Sequence, residues 1–296
     1  MSGSQTAVIA VASGKGGTGK TTIAAHLALA SAISHATLLV DLDVEAPDVL
    51  GYFPFAKPAE DRGAVMVAIP RFVEGQCTGC GLCAKSCRFG AILAIGGVVT
   101  IDERICKGCG RCVALCPAKA FDEVGFEVGA TRLYRSSSLG ILEGRMAVGD
   151  IRSISVIEAT KNKAKKELAR VHIRDCPPGV SCPATHAIEG ADYVVLVAEP
   201  TEFSLHDLSA TVELVKGLGL PGGVVVNKDG FGKADIDLLC EAWGLPVIGR
   251  VAFNQARAAS GAAGRLWEDD RAFMKEIDRV LAIALGVCDP AKRAYP

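Results

Sequence analysis

The chain has 296 residues, half of them apolar, and a formal net charge of −1. That length suits one large or two smaller domains with a substantial core. Near-neutral charge excludes a strongly basic surface for nucleic acid or anionic lipid. No apolar run is long enough to span a bilayer, so neither nucleic acid nor membrane is an expected partner.

Residues 7–12 are continuously apolar and read as a buried first strand. No basic segment precedes them, which argues against a signal peptide. Then comes Gly14-Lys15-Gly16-Gly17-Thr18-Gly19-Lys20-Thr21-Thr22. Glycines let backbone N–H groups approach phosphate oxygens, and the positive end of a following helix adds to the attraction. In such a loop Lys20 reaches the β- and γ-phosphates and Thr21 ligates Mg²⁺, so ATP and Mg²⁺ are the expected ligands. Residues 21–34 are helical in pattern, with Ile23, Leu27 and Ala30 on one face. Residues 37–40 are a second strand, ending in Asp41-Leu42-Asp43. Strand, loop, helix and strand in this order open a parallel α/β sheet.

Proline and charge increase over 54–70, and cysteines dominate 72–124. Cys77, Cys80, Cys83 and Cys87 repeat, 29 residues on, as Cys106, Cys109, Cys112 and Cys116, the last followed by Pro117. This spacing wraps thiolates around cubane iron–sulfur clusters. Zinc is the alternative, but the spacing matches zinc-finger patterns poorly. Between the runs, 91–101 read as short strands with a turn at Gly96-Gly97. So few apolar residues make a weak core, and bound metal is expected to hold the module together. Clustered cysteines without a signal peptide point to thiolates in a reducing cytoplasm.

The α/β pattern resumes after 125. A helix is expected over 154–170, and a strand over 170–174 that ends in Asp175-Cys176-Pro177-Pro178-Gly179. Further strands are expected at 193–198, 223–226 and 247–251, with helices at 205–216, 234–243 and 269–285. The cysteine module is thus an insertion. The domains are 1–71 and 125–296, an ATPase core in two parts, and 72–124, the insert. Cys176, Cys240 and Cys288 read as core thiols. His26, His35, His172, His186 and His206 form no ligand-like pair. The last helix carries Phe273, Ile277, Val280 and Leu281 on one side and mixed charge elsewhere, so it is expected to pack on the sheet.

Lys15 in the glycine loop resembles the early lysine of the deviant Walker A motif, K-G-G-x-G-K-T. That motif marks the MinD/ParA/Mrp/nitrogenase-iron-protein group of P-loop ATPases. The resemblance implies a dimer, homo- or heteromeric with a paralogous ATPase, in which Lys15 reaches the partner's ATP. Asp41 and Asp43 match the switch I acidic pair, whose second member orients the attacking water. Asp175 matches the switch II residue that acts through the Mg²⁺ shell. Asn227, in Val225-Val226-Asn227-Lys228, matches the residue that contacts adenine. Read as residues alone, the three aspartates also suit strand-end capping, although strand ends are where an α/β sheet collects its ligand groups.

The cysteine runs resemble a bacterial two-cluster ferredoxin, in which the fourth cysteine of each run serves the other cluster. That implies two 4Fe-4S clusters, one on Cys77, Cys80, Cys83 and Cys116, the other on Cys106, Cys109, Cys112 and Cys87. Arg88 stands where such ferredoxins carry proline and reads as a surface residue. Together the patterns resemble MinD-superfamily ATPases with an inserted ferredoxin domain, including Ser181-Cys182-Pro183 and Glu199-Pro200-Thr201. Cys182 is placed like the cluster cysteine on the dimer axis of the nitrogenase iron protein; the competing reading is a small buried residue. The expected fold is an α/β, mostly parallel P-loop domain carrying an inserted ferredoxin. The leading functional expectation is ATP-gated electron transfer to a redox partner. Cluster assembly for an accepting protein, as in Mrp-type scaffolds, is the rival. A ParA- or MinD-like positioning switch ranks last.

Overall fold

The computed structural model describes residues 6–289. They fall into two compact units. The first holds the chain through Arg62, then Thr131–Arg145, then everything from Ile157; the second holds Gly63–Ala130 and Met146–Val156. The cysteine-rich unit is therefore larger than the 72–124 stretch and uses a second, later piece of chain.

In chain order the elements are β1 (Ala7–Ala12), α1 (Lys20–Ala32), β2 (Thr37–Asp41), a 3-10 turn (Val49–Tyr52), β3 (Lys57–Pro58) and β4 (Gly63–Phe72). Then come α2 (Leu82–Ser86), β5 (Ile92–Ile95), β6 (Val98–Ile101), α3 (Arg111–Leu115), β7 (Phe121–Ser136), β8 (Leu139–Met146), α4 (Ser153–Ala164) and β9 (Val171–Asp175). The rest are α5 (Cys182–Ile188), β10 (Tyr193–Ala198), α6 (Glu202–Gly217), β11 (Gly222–Asp229), α7 (Ile236–Trp243), β12 (Val247–Ala252), α8 (Gln255–Ala262) and α9 (Arg271–Cys288).

In the first unit the strands run in the order β12-β11-β10-β1-β9-β2-β8-β7-β3. The pairs from β12 to β8 are parallel, whereas β3 joins β7 antiparallel. Strands covered on both faces need side chains that are apolar on both faces, which is why β1, β2 and β10 read as unbroken apolar runs. Helix α1 is buried on most of its circumference, with nine of its thirteen residues inside, so a single apolar face understates it. Helix α9 buries Phe273, Ile277, Val280, Leu281 and Ala284 against α1 and β12, as expected. Helix starts are capped by side chains: Asp235 accepts from Leu238 N–H, Asn254 from Arg257 N–H and Asp270 from Phe273 N–H, each at 3.0 Å.

Two expectations need correction. The ribbon of β7 and β8 has no counterpart in the sequence reading, because charged residues such as Arg132 and Arg135 interrupt its apolar pattern. Its turn places Ser137 at a left-handed φ of 51°. The helix expected over 154–170 stops at Ala164. The chain then turns so that the N–H groups of Arg170 and Val171 both donate to Ala36 O, at 2.7 and 3.2 Å, which aligns β9 beside β2.

In the second unit β4 pairs with β7. β5 and β6 form an antiparallel hairpin, Ile95 opposite Val98, across Gly96 and Gly97, whose φ values are 59° and 84°. Two left-handed residues suit a tight hairpin turn, and only glycine takes that conformation without strain. The apolar clusters here are small: Ile92, Val99, Cys112 and Phe121 in one, Ile69, Ala91 and Cys106 in the other.

Two histidines of the first unit are buried in the neutral form. His26 Nδ1 donates to Thr22 O (2.7 Å), Nε2 accepts from Trp267 N–H (2.9 Å), and Phe273 packs edge-on against the ring. Burial depresses its pKa to about 4, and burial with Arg174 nearby does the same for His172. A depressed histidine pKa stabilises the fold above the unfolded value of ~6.5, and that stability drains away as pH falls toward 4. Each histidine should therefore cost roughly 2 kcal/mol at pH 5 relative to pH 7.5. Denaturant unfolding at both pH values should show that loss, reduced in His172→Asn; equal stability at both would refute the neutral-histidine account.

Candidate functional site

The loop after β1 lies at the carboxyl ends of the parallel strands, where a crevice opens in such sheets. Gly17 and Gly19 have φ values of 79° and 92°. At Gly19 a Cβ would sit 2.2 Å from Asn227 Nδ2, and at Gly14 one would sit 2.3 Å from Asp207 O. Those glycines are required by close approach as well as by backbone shape. Asn227, at the end of β11, donates to Thr18 O at 2.7 Å and so fixes the loop from the side.

Lys20 points into a nest of carboxylates. Its ammonium donates to Asp175 at 3.3 Å and lies 3.9 Å from Asp43. Thr21 Oγ1 donates to the other Asp175 oxygen at 2.7 Å. Asp41 pairs with Asp175 across the β2–β9 register. Its carboxylate accepts from Asp43 N–H and Val49 N–H, both at 3.2 Å, so it ties down the loop that carries Asp43. Burial pushes the Asp43 carboxyl up to about 6 despite Lys20, and burial also lifts Asp41 and Asp175. Burial alone would lower the Lys20 pKa, but Asp175 and Asp43 raise it overall. Asp175 and Asp43 share one buried cation, and with Thr21 Oγ1 they offer hard oxygen donors of the kind Mg²⁺ takes.

A cavity of about 450 Å³ adjoins the loop, within the range of small-molecule sites. Gly17, Gly19, Thr22, Tyr52, Asn227 and Trp267 are among its walls. Tyr52 OH and Thr22 Oγ1 share a hydrogen bond of 2.6 Å. Two polar atoms here, Thr18 Oγ1 and Trp267 Nε1, are buried with no partner among the described residues.

The structure adds two residues that the sequence reading did not single out. Glu199, just past β10, holds Lys15 in an ion pair and Lys228 in another at 2.9 Å. Lys228 also donates to Gly17 O at 2.8 Å. Glu199 follows an apolar strand, so the strand-end rule that found Asp175 also covers it. Cys182 lies exposed at the first position of α5, directly after Ser181, so it is not the small buried residue of the competing reading. Cys176, Cys240 and Cys288 are buried as expected.

In the second unit the cysteines gather around two cavities. Cys77, Cys80, Cys83 and Cys116 line one; Cys87, Cys106, Cys109 and Cys112 line the other. Four thiols accept backbone N–H groups: Cys77 from Gly79 (3.4 Å), Cys87 from Ala91 (3.3 Å), Cys106 from Gly108 (3.5 Å) and Cys116 from Ala120 (3.3 Å). Burial pushes the Cys112 thiol up to about 11, and Cys106 and Cys109 add to the rise. Among the described residues no group of three or more His, Cys, Asp or Glu is arranged to hold a metal ion.

Residues 9–267 match the family model of the CobQ/CobB/MinD/ParA nucleotide-binding domain. Two uncharacterized proteins of Methanocaldococcus jannaschii are similar. MJ0578 is 32% identical over 75% of this chain and 78% of its own length, and MJ0579 is 26% identical over 77% and 82%. Among solved structures, the septum site-determining protein MinD of Pyrococcus horikoshii, complexed with Mg-ADP, superposes with a TM-score of 0.58 at 17% identity, over 97% of this chain and all of that one. The ATP complex of a Cyanothece McdA variant gives 0.56 at 16%, over 96% and 98%. These likenesses identify the α/β P-loop fold. With the loop geometry and the match over most of its length, the chain belongs to the CobQ/CobB/MinD/ParA family of nucleotide-binding proteins.

Proposed function

We propose that the protein is an Mg²⁺-dependent ATPase whose nucleotide state governs electron transfer, through two 4Fe-4S clusters, to a redox partner. The observation that carries the reading is the gathering of eight cysteines, four around each of two cavities, in a chain of this family. The two sets are those the ferredoxin pattern pairs, each taking its fourth cysteine from the other run. When bound, the clusters supply one-electron storage.

The nucleotide chemistry falls to the first unit. Lys20 would leave Asp175 and Asp43 for the phosphates, and Thr21 with Asp175 would hold an Mg²⁺ that offsets phosphate charge. That frees Asp43 to accept a hydrogen bond from the attacking water. Glu199 keeps Lys15 at home in the isolated chain; in a dimer Lys15 turns to the partner's ATP. The chain enters the cysteine-rich unit soon after Asp43 and leaves it last at Val156, ahead of Asp175. Changes at either switch thus have a covalent route to the cysteines.

A positioning switch is the second reading. It ranked last on sequence, yet one solved neighbour, MinD, is a septum site-determining protein. Against it, α9 spends its apolar stripe on the protein core. Eight gathered cysteines also have no task in positioning.

Metal content separates these readings. Protein purified without oxygen should carry about eight iron and eight sulfide per chain; stoichiometric zinc without sulfide would remove the redox role.

Titration calorimetry tests the nucleotide site. Lys20→Ala should weaken Mg·ATP binding by about 10- to 100-fold, the worth of a charged hydrogen bond. Lys15→Ala should bind ATP within about twofold of the parent yet lose hydrolysis. Normal turnover in Lys15→Ala would show that Lys15 has no catalytic part.

Coupling is read by anaerobic titration of ATP against oxidised and reduced protein. Affinities should differ about fivefold or more, a coupling of ~1–3 kcal/mol. Equal affinities, with cluster potentials unmoved by nucleotide, would leave the clusters as a docking or structural module.

A further inference from the structure

The two cysteine cavities are built alike in backbone and unlike in charge. Cys77-Thr78-Gly79-Cys80-Gly81-Leu82-Cys83 corresponds, residue by residue, to Cys106-Lys107-Gly108-Cys109-Gly110-Arg111-Cys112. Gly79 and Gly108 have φ values of 73° and 65°, and Gly81 and Gly110 of 70° and 68°. Each cavity has two thiols that accept a backbone N–H at 3.3–3.5 Å. The fixed backbone dipoles are therefore matched, and they do not distinguish the sites.

The side chains do. Thr78 and Leu82 line the first cavity, whose walls carry no charged residue. At the equivalent positions Lys107 and Arg111 line the second. Lys107 is anchored, since its ammonium donates to Ile151 O at 2.6 Å. Pro117 and Arg88, the residues after the fourth cysteines, line neither cavity, and Arg88 is exposed. A further guanidinium, the buried Arg152, donates to Cys106 O at 3.3 Å, but Asp150 at 2.5 Å makes that pair neutral overall. The acids near the second site do not reverse the balance. Asp102 is paired with Arg104, and Glu123 lies beside Gly110 outside the cavity wall.

We propose that the two sites are unequal electron stores. The site of Cys87, Cys106, Cys109 and Cys112 holds the higher reduction potential, set by Lys107 and Arg111. The site of Cys77, Cys80, Cys83 and Cys116 holds the lower one and hands its electron on. This rests on the reading that both cavities hold 4Fe-4S clusters. Reduction adds one negative charge, which nearby cations stabilise. Burial works the other way, and Cys106 and Cys112 are each only 8% exposed. The same low dielectric, however, strengthens the attraction to a cation fixed at the cavity wall. In the transfer one electron, supplied by a low-potential one-electron donor protein, leaves the first site, which returns to its oxidised state, and reduces the second. No bond is made or broken and no proton moves.

The test is an anaerobic redox titration of the full-length, iron-loaded protein, followed by electron paramagnetic resonance, with iron and sulfide measured on the same samples. The parent should reduce in two resolved one-electron steps. Lys107→Thr with Arg111→Leu should lower the upper step alone, by about 59 mV for each tenfold loss in its reduced-to-oxidised ratio. The reciprocal change, Thr78→Lys with Leu82→Arg, should raise the lower step. Arg111 is exposed and Leu82 is 45% exposed, so both variants keep the fold. Steps that coincide in the parent, or that ignore both charge changes, would overturn the inference and leave the clusters standing. Protein lacking iron and sulfide would overturn the cluster reading itself, and this inference with it.

Discussion

One ammonium group, that of Lys20, faces two carboxylates, Asp175 and Asp43, and a third, Asp41, is buried beside Asp175. Burying acids without enough counter-charge is costly, and such acids answer by holding protons more tightly. Asp41, Asp43 and Asp175 all do so. The crevice is therefore short of positive charge until a cation arrives. On the proposed reading, phosphates would draw Lys20 away and worsen the shortage, which would couple Mg²⁺ binding to Lys20 movement. The loop that carries Asp43 is tied to this balance through Asp41, whose carboxylate holds two of its N–H groups.

The sheet order explains why these groups meet. β1 is central, with β9 and β2 on one side and β10, β11 and β12 on the other. The phosphate loop leaves β1, so residues ending each neighbouring strand close on it: Asp175, Asp43, Glu199 and Asn227. Glu199 restrains Lys15 and Lys228 together. Lys15 is thereby held within its own chain, and any move to another partner competes with a specific ion pair.

Much of this was legible in sequence, for physical reasons. Parallel strands buried on both faces leave continuous apolar runs, so β1, β2 and β10 were readable nearly to the residue. The glycine loop and cysteine repeats announced themselves because close backbone approach and thiolate geometry tolerate few substitutes. β7 and β8 were not readable, because their alternation is interrupted by charge and their pairing is long-range. Helix α4 was read too long: Lys165 and Lys166 are good helix formers, and only the pairing of Arg170 and Val171 with Ala36 ends it. Glu199 was missed as a site residue because its role depends on Lys15 and Lys228, distant in sequence. The exposure of Cys182 likewise depends on how α5 begins, not on its local composition.

On the proposed reading, the two units meet a common electrostatic problem with a common device. A nucleotide brings phosphate charge, and an iron–sulfur site gains negative charge on reduction. Water could solvate such charge but would also have to reorganise around it. Both units instead use glycine at positive φ: Gly17 and Gly19 in one, Gly79, Gly81, Gly108 and Gly110 in the other. Left-handed residues turn successive N–H groups toward one side and create a concavity that favours anions without any ionised side chain. In the cysteine-rich unit these N–H groups already point at sulfur. Backbone dipoles are fixed by the fold and set a common baseline for both cysteine sites. Apart from burial, the difference between those sites then lies in side chains: at equivalent positions the repeats place Thr78 and Leu82 in one, Lys107 and Arg111 in the other.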